Sequence, residues 1–96
     1  MNEKNGVLRY GIVYSGRVQG VGFRWQVMNV AKCYEVTGFV RNLSDGTVEL
    51  LVEGTKNEAR QMIDAVEAKL KGYWSSKLED ERKGLPHFDG FSIDGL

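Results

Sequence analysis

Cysteine is almost absent: Cys33 is the single thiol in 96 residues, which excludes an internal disulfide. No stretch approaches the roughly 18 apolar residues that a membrane span requires. The polar start MNEKNG carries no apolar core of a leader, so no secretory signal is expected. Net charge is also missing, because 13 Lys plus Arg balance 13 Asp plus Glu. No dense Lys/Arg run occurs, which argues against a nucleic-acid groove. His87 is the lone histidine and has no companion ligands nearby in sequence, so no metal site is expected. What is present is ordinary for a globular chain, with 42% hydrophobic and 27% charged residues, which argues against wholesale disorder. The expectation is one cytoplasmic domain over residues 1–96, monomeric by default, with no nucleic-acid or membrane partner.

Charge is unevenly spread. Residues 1–42 hold six basic and two acidic side chains, whereas residues 43–96 hold seven and eleven. A site built from the first part therefore favours an anion, and a small one given the neutral total.

Residues 7–15, VLRYGIVYS, are rich in β-branched and aromatic residues and predict a strand. A glycine loop follows. Apolar positions at Val27, Val30, Ala31 and Tyr34 then predict a helix from Trp25 to about Tyr34. A second strand is predicted over 36–42, and Asp45-Gly46 predicts a hairpin into a third strand over 47–52. Thr55 and Glu58 form a capping-box pattern. The stripe Ala59, Met62, Ile63, Val66, Leu70 then predicts a helix, with Gly72 at its C′ position. Trp74–Glu79 reads as a polar edge strand, Gly84-Leu85-Pro86 as a turn and Phe88–Ile93 as a last strand. The order β-α-β-β-α-β predicts an α+β, ferredoxin-like split β-α-β sandwich. Its antiparallel sheet has four to five strands and carries two helices on one face.

The chemical signal is the loop Gly16-Arg17-Val18-Gln19-Gly20-Val21-Gly22-Phe23-Arg24. A strand-to-helix loop leaves the first helical N–H groups unpaired, and the helix dipole makes their meeting point positive. Glycines allow close backbone approach, and a guanidinium can grip a phosphoryl group through two parallel donors. The ending Gly-Lys-Ser/Thr of a Walker loop is absent, and no parallel βαβ with a ribose-binding acid follows. A tight bend without a ligand is the plain alternative. The second signal is Arg41-Asn42 before Asp45-Gly46. An Asn can position a water without becoming a base, but the ordinary role of an Asn before such a turn is to cap it.

The two blocks Gly16 to Arg24 and Gly38-Phe39-Val40-Arg41-Asn42, with Asp45-Gly46-Thr47-Val48-Glu49 beyond, resemble the acylphosphatase family at matching separation. The resemblance implies a ferredoxin-like sandwich that hydrolyses acyl phosphates to a carboxylate and orthophosphate without metal or cofactor. It implies Arg24 and Asn42 as the catalytic residues, with Asn42 orienting an in-line water. It implies Gly16, Arg17, Val18, Gln19, Gly20, Val21, Gly22 and Phe23 as the phosphate cradle, with inorganic phosphate as product or inhibitor. Three positions depart from the family pattern. Glu35 stands where Gly is usual, which leads one to expect a strained or reshaped turn. Phe39 stands where Trp is frequent. Leu43 stands where some members have Thr, so hydroxyl support for Asn42 must come from elsewhere.

The remaining features have bland readings. Cys33 reads as a small buried hydrophobe. Trp25 reads as a core or rim residue rather than a substrate platform, and nothing in the sequence defines an acyl pocket. Three other functions compete. An RNA-binding sheet would need aromatics that Thr47–Val52 lacks. A non-catalytic acyl-phosphate or carbamoyl-phosphate binding module would keep the loop, as in the acylphosphatase-like unit of hydrogenase-maturation carbamoyltransferases. A protein-binding regulator would keep an unused site.

Overall fold

Alternate residues of a strand face opposite sides of its sheet, and in β1 (Val7–Gly16) that alternation buries Tyr10, Ile12 and Tyr14. The computed structural model describes residues 7–94. After β1 come α1 (Phe23–Ala31), β2 (Thr37–Asn42), β3 (Val48–Gly54), α2 (Lys56–Lys69), β4 (Trp74–Gly84) and β5 (Phe91–Asp94). The five strands form one sheet in the order β4-β1-β3-β2-β5. Tyr10, Ile12 and Tyr14 join Val40 of β2 and Val48, Leu50 and Val52 of β3 on the covered face. There they meet Val27 and Val30 of α1 and Met62, Ile63 and Val66 of α2, all at helical spacing.

β1 pairs antiparallel with β3 and β4, and β2 with β3, but β5 runs parallel to β2. The expected sheet thus has its fifth strand, and that strand departs from the antiparallel rule. The cause is the connection. β4 and β5 lie at opposite edges, and residues 85–90 cross between them at one end of the sheet. A strand that starts from that end runs opposite to β4 and hence along β2.

The crossing segment is pinned on the face without helices. Glu53 is 1% exposed; it accepts hydrogen bonds from the His87 N–H at 2.9 Å and from Arg9 Nε at 2.7 Å. Phe88 packs edge-on against Phe39 with ring centroids 5.7 Å apart.

Local expectations meet tertiary competition at several points. The Thr55 hydroxyl caps α2 by accepting the Glu58 N–H at 3.2 Å. Glu58 does not reach back to Thr55. Its carboxylate instead accepts the Glu35 N–H at 2.8 Å, a partner from the other helix's exit. No non-glycine residue among those described has positive φ, so Glu35 introduces no backbone strain. Gly72 has the positive φ expected of a helix stop, +98, but it follows the C-cap Leu70 by two residues and so stands at C″ and not at C′. α1 begins two residues earlier and ends three earlier than its apolar spacing suggests. Beyond Ala31 the chain tightens into turns, with the Cys33 N–H on the Val30 carbonyl and the Tyr34 N–H on that of Ala31. Cys33 is thereby carried off the helix and is exposed, not buried.

Antiparallel pairing of β4, β1, β3 and β2 brings three connections to the same end of the sheet. They are the glycine loop 17–22, the hairpin 43–47 and the chain entering β4 at Trp74.

Candidate active site

At that end the last rung of the covered face runs Tyr14, Val48, Asn42 across three strands. Asn42 shares the covered face with Val40, so its side chain is directed toward the helix layer and not into bulk solvent. Tyr14 packs against Phe23, the first residue of α1, with ring centroids 5.7 Å apart. The Tyr14 hydroxyl donates to Glu67 of α2 at 2.8 Å. Burial, reinforced by that carboxylate, pushes the phenol far above its ordinary pKa, so it stays a donor. The start of α1, and Arg24 with it, is thus set over the Asn42 end of the sheet.

Two glycines make the loop possible. Gly16 has φ +126, and a Cβ there would lie 2.7 Å from the Tyr73 carbonyl oxygen and 2.8 Å from the Ser75 nitrogen. Gly22 is the N-cap of α1 at φ 80, ψ 15, a left-handed conformation that costs other L residues about 1 kcal/mol or more. That residue lets the helix begin directly at Phe23. No side chain caps α1 and no acid lies in its first turn, so its positive end is not neutralised. Among the described residues, no acceptor is found for the backbone N–H groups of Val18 to Arg24.

The side chains of the loop have divided tasks. Val18 and Phe23 are buried in the core and anchor the loop. Gln19 ties it down: its amide nitrogen donates to the carbonyls of Leu43 and Thr47, each at 2.8 Å. Those carbonyls frame the hairpin that follows Asn42, so one side chain holds the cradle against the Asn42 strand. The Arg17 N–H is already taken by the Tyr73 carbonyl at 2.8 Å, and its guanidinium lies over the Tyr73 ring, 5.8 Å from the centroid. No sequence signal marked Tyr73, or the carbonyls of Leu43 and Thr47, as partners of the loop. The hairpin is closed by Asp45, which accepts from the Thr47 N–H at 3.0 Å and from its hydroxyl. Those bonds lower the Asp45 pKa below its ordinary value.

Two polar atoms are buried at this place without any partner: Nη1 of Arg24 and Oδ1 of Asn42. Buried polar groups are rarely left so, because each unmade hydrogen bond costs about 1–3 kcal/mol. One is a cationic donor and the other a neutral acceptor. The arrangement can take an anion on the first and a hydrogen-bond donor such as water on the second. Trp25, beside Arg24, is 66% exposed, which excludes the core position considered for it. Among the described residues no group of three or more His, Cys, Asp or Glu side chains is placed to hold a metal ion, and no helix is long and apolar enough to cross a membrane.

The acylphosphatase family model matches residues 10–93. An acylphosphatase of Bacillus licheniformis is 43% identical over 91 residues, covering 91% of this chain and 98% of that protein. The crystal structure of acylphosphatase from Bacillus subtilis superposes with a TM-score of 0.82 at 36% identity, covering 91% of this chain and 98% of that one. An acylphosphatase structure from Coxiella burnetii gives 0.79 at 28% identity, with 98% of each chain covered.

Proposed function

The chain belongs to the acylphosphatase family and hydrolyses acyl phosphates; on that premise we propose that Arg24 and the loop from Gly16 to Phe23 hold the phosphoryl group while Asn42 holds the attacking water. The observation that carries this reading is the pair of buried, unpartnered atoms of opposite character, Arg24 Nη1 and Asn42 Oδ1. The phosphoryl oxygens accept from the guanidinium and from the free N–H groups at the start of α1. The water donates one hydrogen to Asn42 Oδ1 and turns its lone pair toward phosphorus, opposite the carboxylate. The new P–O bond forms as the bond to the carboxylate oxygen breaks. The carboxylate leaves with that electron pair and, as a weak base, takes no proton. The water's proton passes to a phosphoryl oxygen, and orthophosphate results.

Such a loose transition state needs positioning and charge stabilisation more than covalent help. No titrating side chain is required, and His87 lies at the other end of the sheet on the Glu53 strap. The reading takes residues 1–96 as one cytoplasmic, monomeric domain that works without metal or cofactor.

The test is hydrolysis of benzoyl phosphate in excess EDTA by wild type and Asn42→Ala, with phosphate inhibition measured for both. Full turnover of wild type, a loss of about a hundredfold to a thousandfold in the variant, and retained phosphate inhibition are expected. Wild-type turnover in Asn42→Ala would remove Asn42 from the water, and activity restored only by a divalent ion would overturn the metal-free mechanism.

A further inference from the structure

Among the described residues five large apolar side chains are prominently exposed, and three of them border one loop. Val21 is 39% exposed and lies in the glycine loop; Trp25 is 66% exposed in the first turn of α1; Tyr73 is 38% exposed and receives the Arg17 N–H on its carbonyl. An anion cradle alone does not call for apolar surface at its mouth. Water hydrates a phosphate well, and exposed indole is costly. The indole has no core to face, because Phe23, Val27, Val30 and Ala31 define the buried side of α1 and Trp25 falls opposite them. A helical side chain leans toward the helix N-terminus and covers the turn before its own Cα. Trp25 therefore overhangs the Val21–Gly22 segment, next to the guanidinium-bearing residue.

We infer that Trp25, with Val21 beside it, is the acyl-group contact of this enzyme and biases it toward aromatic and extended apolar acyl phosphates over acetyl phosphate. The inference rests on the phosphoryl group occupying the cradle as proposed above. With phosphorus held at the start of α1, the leaving carboxylate and its substituent must project away from the water on Asn42, out of the cradle, where the exposed apolar surface is. A benzoyl ring laid against the indole removes apolar area of both from water; a methyl group is too short to do so.

The experiment compares wild type, Trp25→Ala and Trp25→Phe. kcat/KM is measured for benzoyl and acetyl phosphate. Inhibition constants are measured for phenacylphosphonate, acetonylphosphonate and inorganic phosphate, the two phosphonates being carbon-linked analogues that cannot be hydrolysed at phosphorus. Trp25→Ala is expected to lower the benzoyl-to-acetyl ratio of kcat/KM by about fivefold to tenfold, with Trp25→Phe recovering most of it. The phenacylphosphonate constant should rise by a similar factor relative to the other two. A ratio within twofold of wild type would overturn the inference. So would an equal weakening of all three inhibitors, which would mean that Trp25 shapes the cradle. A wild-type protein inhibited by neither phosphonate nor phosphate would instead overturn the placement of the phosphoryl group itself.

Discussion

Removing the Gln19 amide separates what the structure assigns to that residue from what the family resemblance implies. The resemblance counts Gln19 among the phosphate contacts. Its side-chain amide donates to the Leu43 and Thr47 carbonyls, which leaves only its backbone N–H for the cradle. A neutral hydrogen bond contributes about 0.5–1.5 kcal/mol net, so losing both costs roughly 1–3 kcal/mol. The loss is softened because each carbonyl keeps a backbone donor, Gly46 N–H for Leu43 and Leu43 N–H for Thr47. At about 4–8 °C per kcal/mol for a domain of this size, Gln19→Ala should lower Tm by roughly 4–20 °C. The catalytic effect comes from the slackened tie between cradle and Asn42 strand. A misplacement near 1 Å costs on the order of a hundredfold in rate, so kcat should fall about tenfold to a hundredfold. Inhibition by phosphate should change far less than kcat. Gln19→Glu should be worse than Gln19→Ala in both respects, because a carboxylate would face two carbonyl oxygens. Thermal melts, benzoyl phosphate turnover and phosphate inhibition suffice. The reasoning is refuted if Gln19→Ala melts with wild type and keeps its kcat, or if phosphate inhibition is lost in step with kcat.

The proposed seat for phosphate on the buried, unpaired Nη1 of Arg24 predicts that phosphate at a hundred times its dissociation constant adds about 2.7 kcal/mol to wild-type stability, read as a rise in Tm. Arg24→Ala should abolish that rise and cost at least a hundredfold in rate, yet leave the ligand-free Tm unchanged or higher, since it removes an unsatisfied donor. Glu53 carries a pH dependence. Burial pushes its carboxyl up, but the His87 N–H and Arg9 outweigh burial, and the net shift is downward. A lowered folded-state value means stability that is fully present above the ordinary carboxylate range and is lost as pH falls through the folded value. Glu53→Gln should therefore lower Tm at neutral pH, by the equivalent of about 2 kcal/mol, and the gap to wild type should close as the medium is acidified below about pH 4. A gap that widens in acid would contradict the assignment.

Local pattern decided most of the architecture. The alternation Tyr10, Ile12, Tyr14, the Asp45-Gly46 turn, the Thr55 cap and the stripe from Ala59 to Val66 each act over a few residues, through backbone geometry that recurs every two or 3.6 positions. They are legible because the forces that set them are short in range along the chain. Arg24 and Asn42 became candidates through the resemblance of their two blocks to the family, since the residues alone left a tight bend and a turn-capping Asn open.

What needed the closed fold are the contacts between distant residues. Gln19 finds its acceptors 24 and 28 positions away, and Glu53 holds the strap 34 positions on. Which carbonyl stands opposite an amide at that separation depends on strand order and register, and no local spacing encodes either. The same holds for the parallel β5, set by a crossing between opposite edges, and for Glu58, whose carboxylate bonds Glu35 and not its own helix cap. Exposure is collective in the same sense. Cys33 reads as buried and Trp25 as core or rim, and both face solvent: α1 ends at Ala31, before Cys33, and it offers the sheet only the side opposite Trp25.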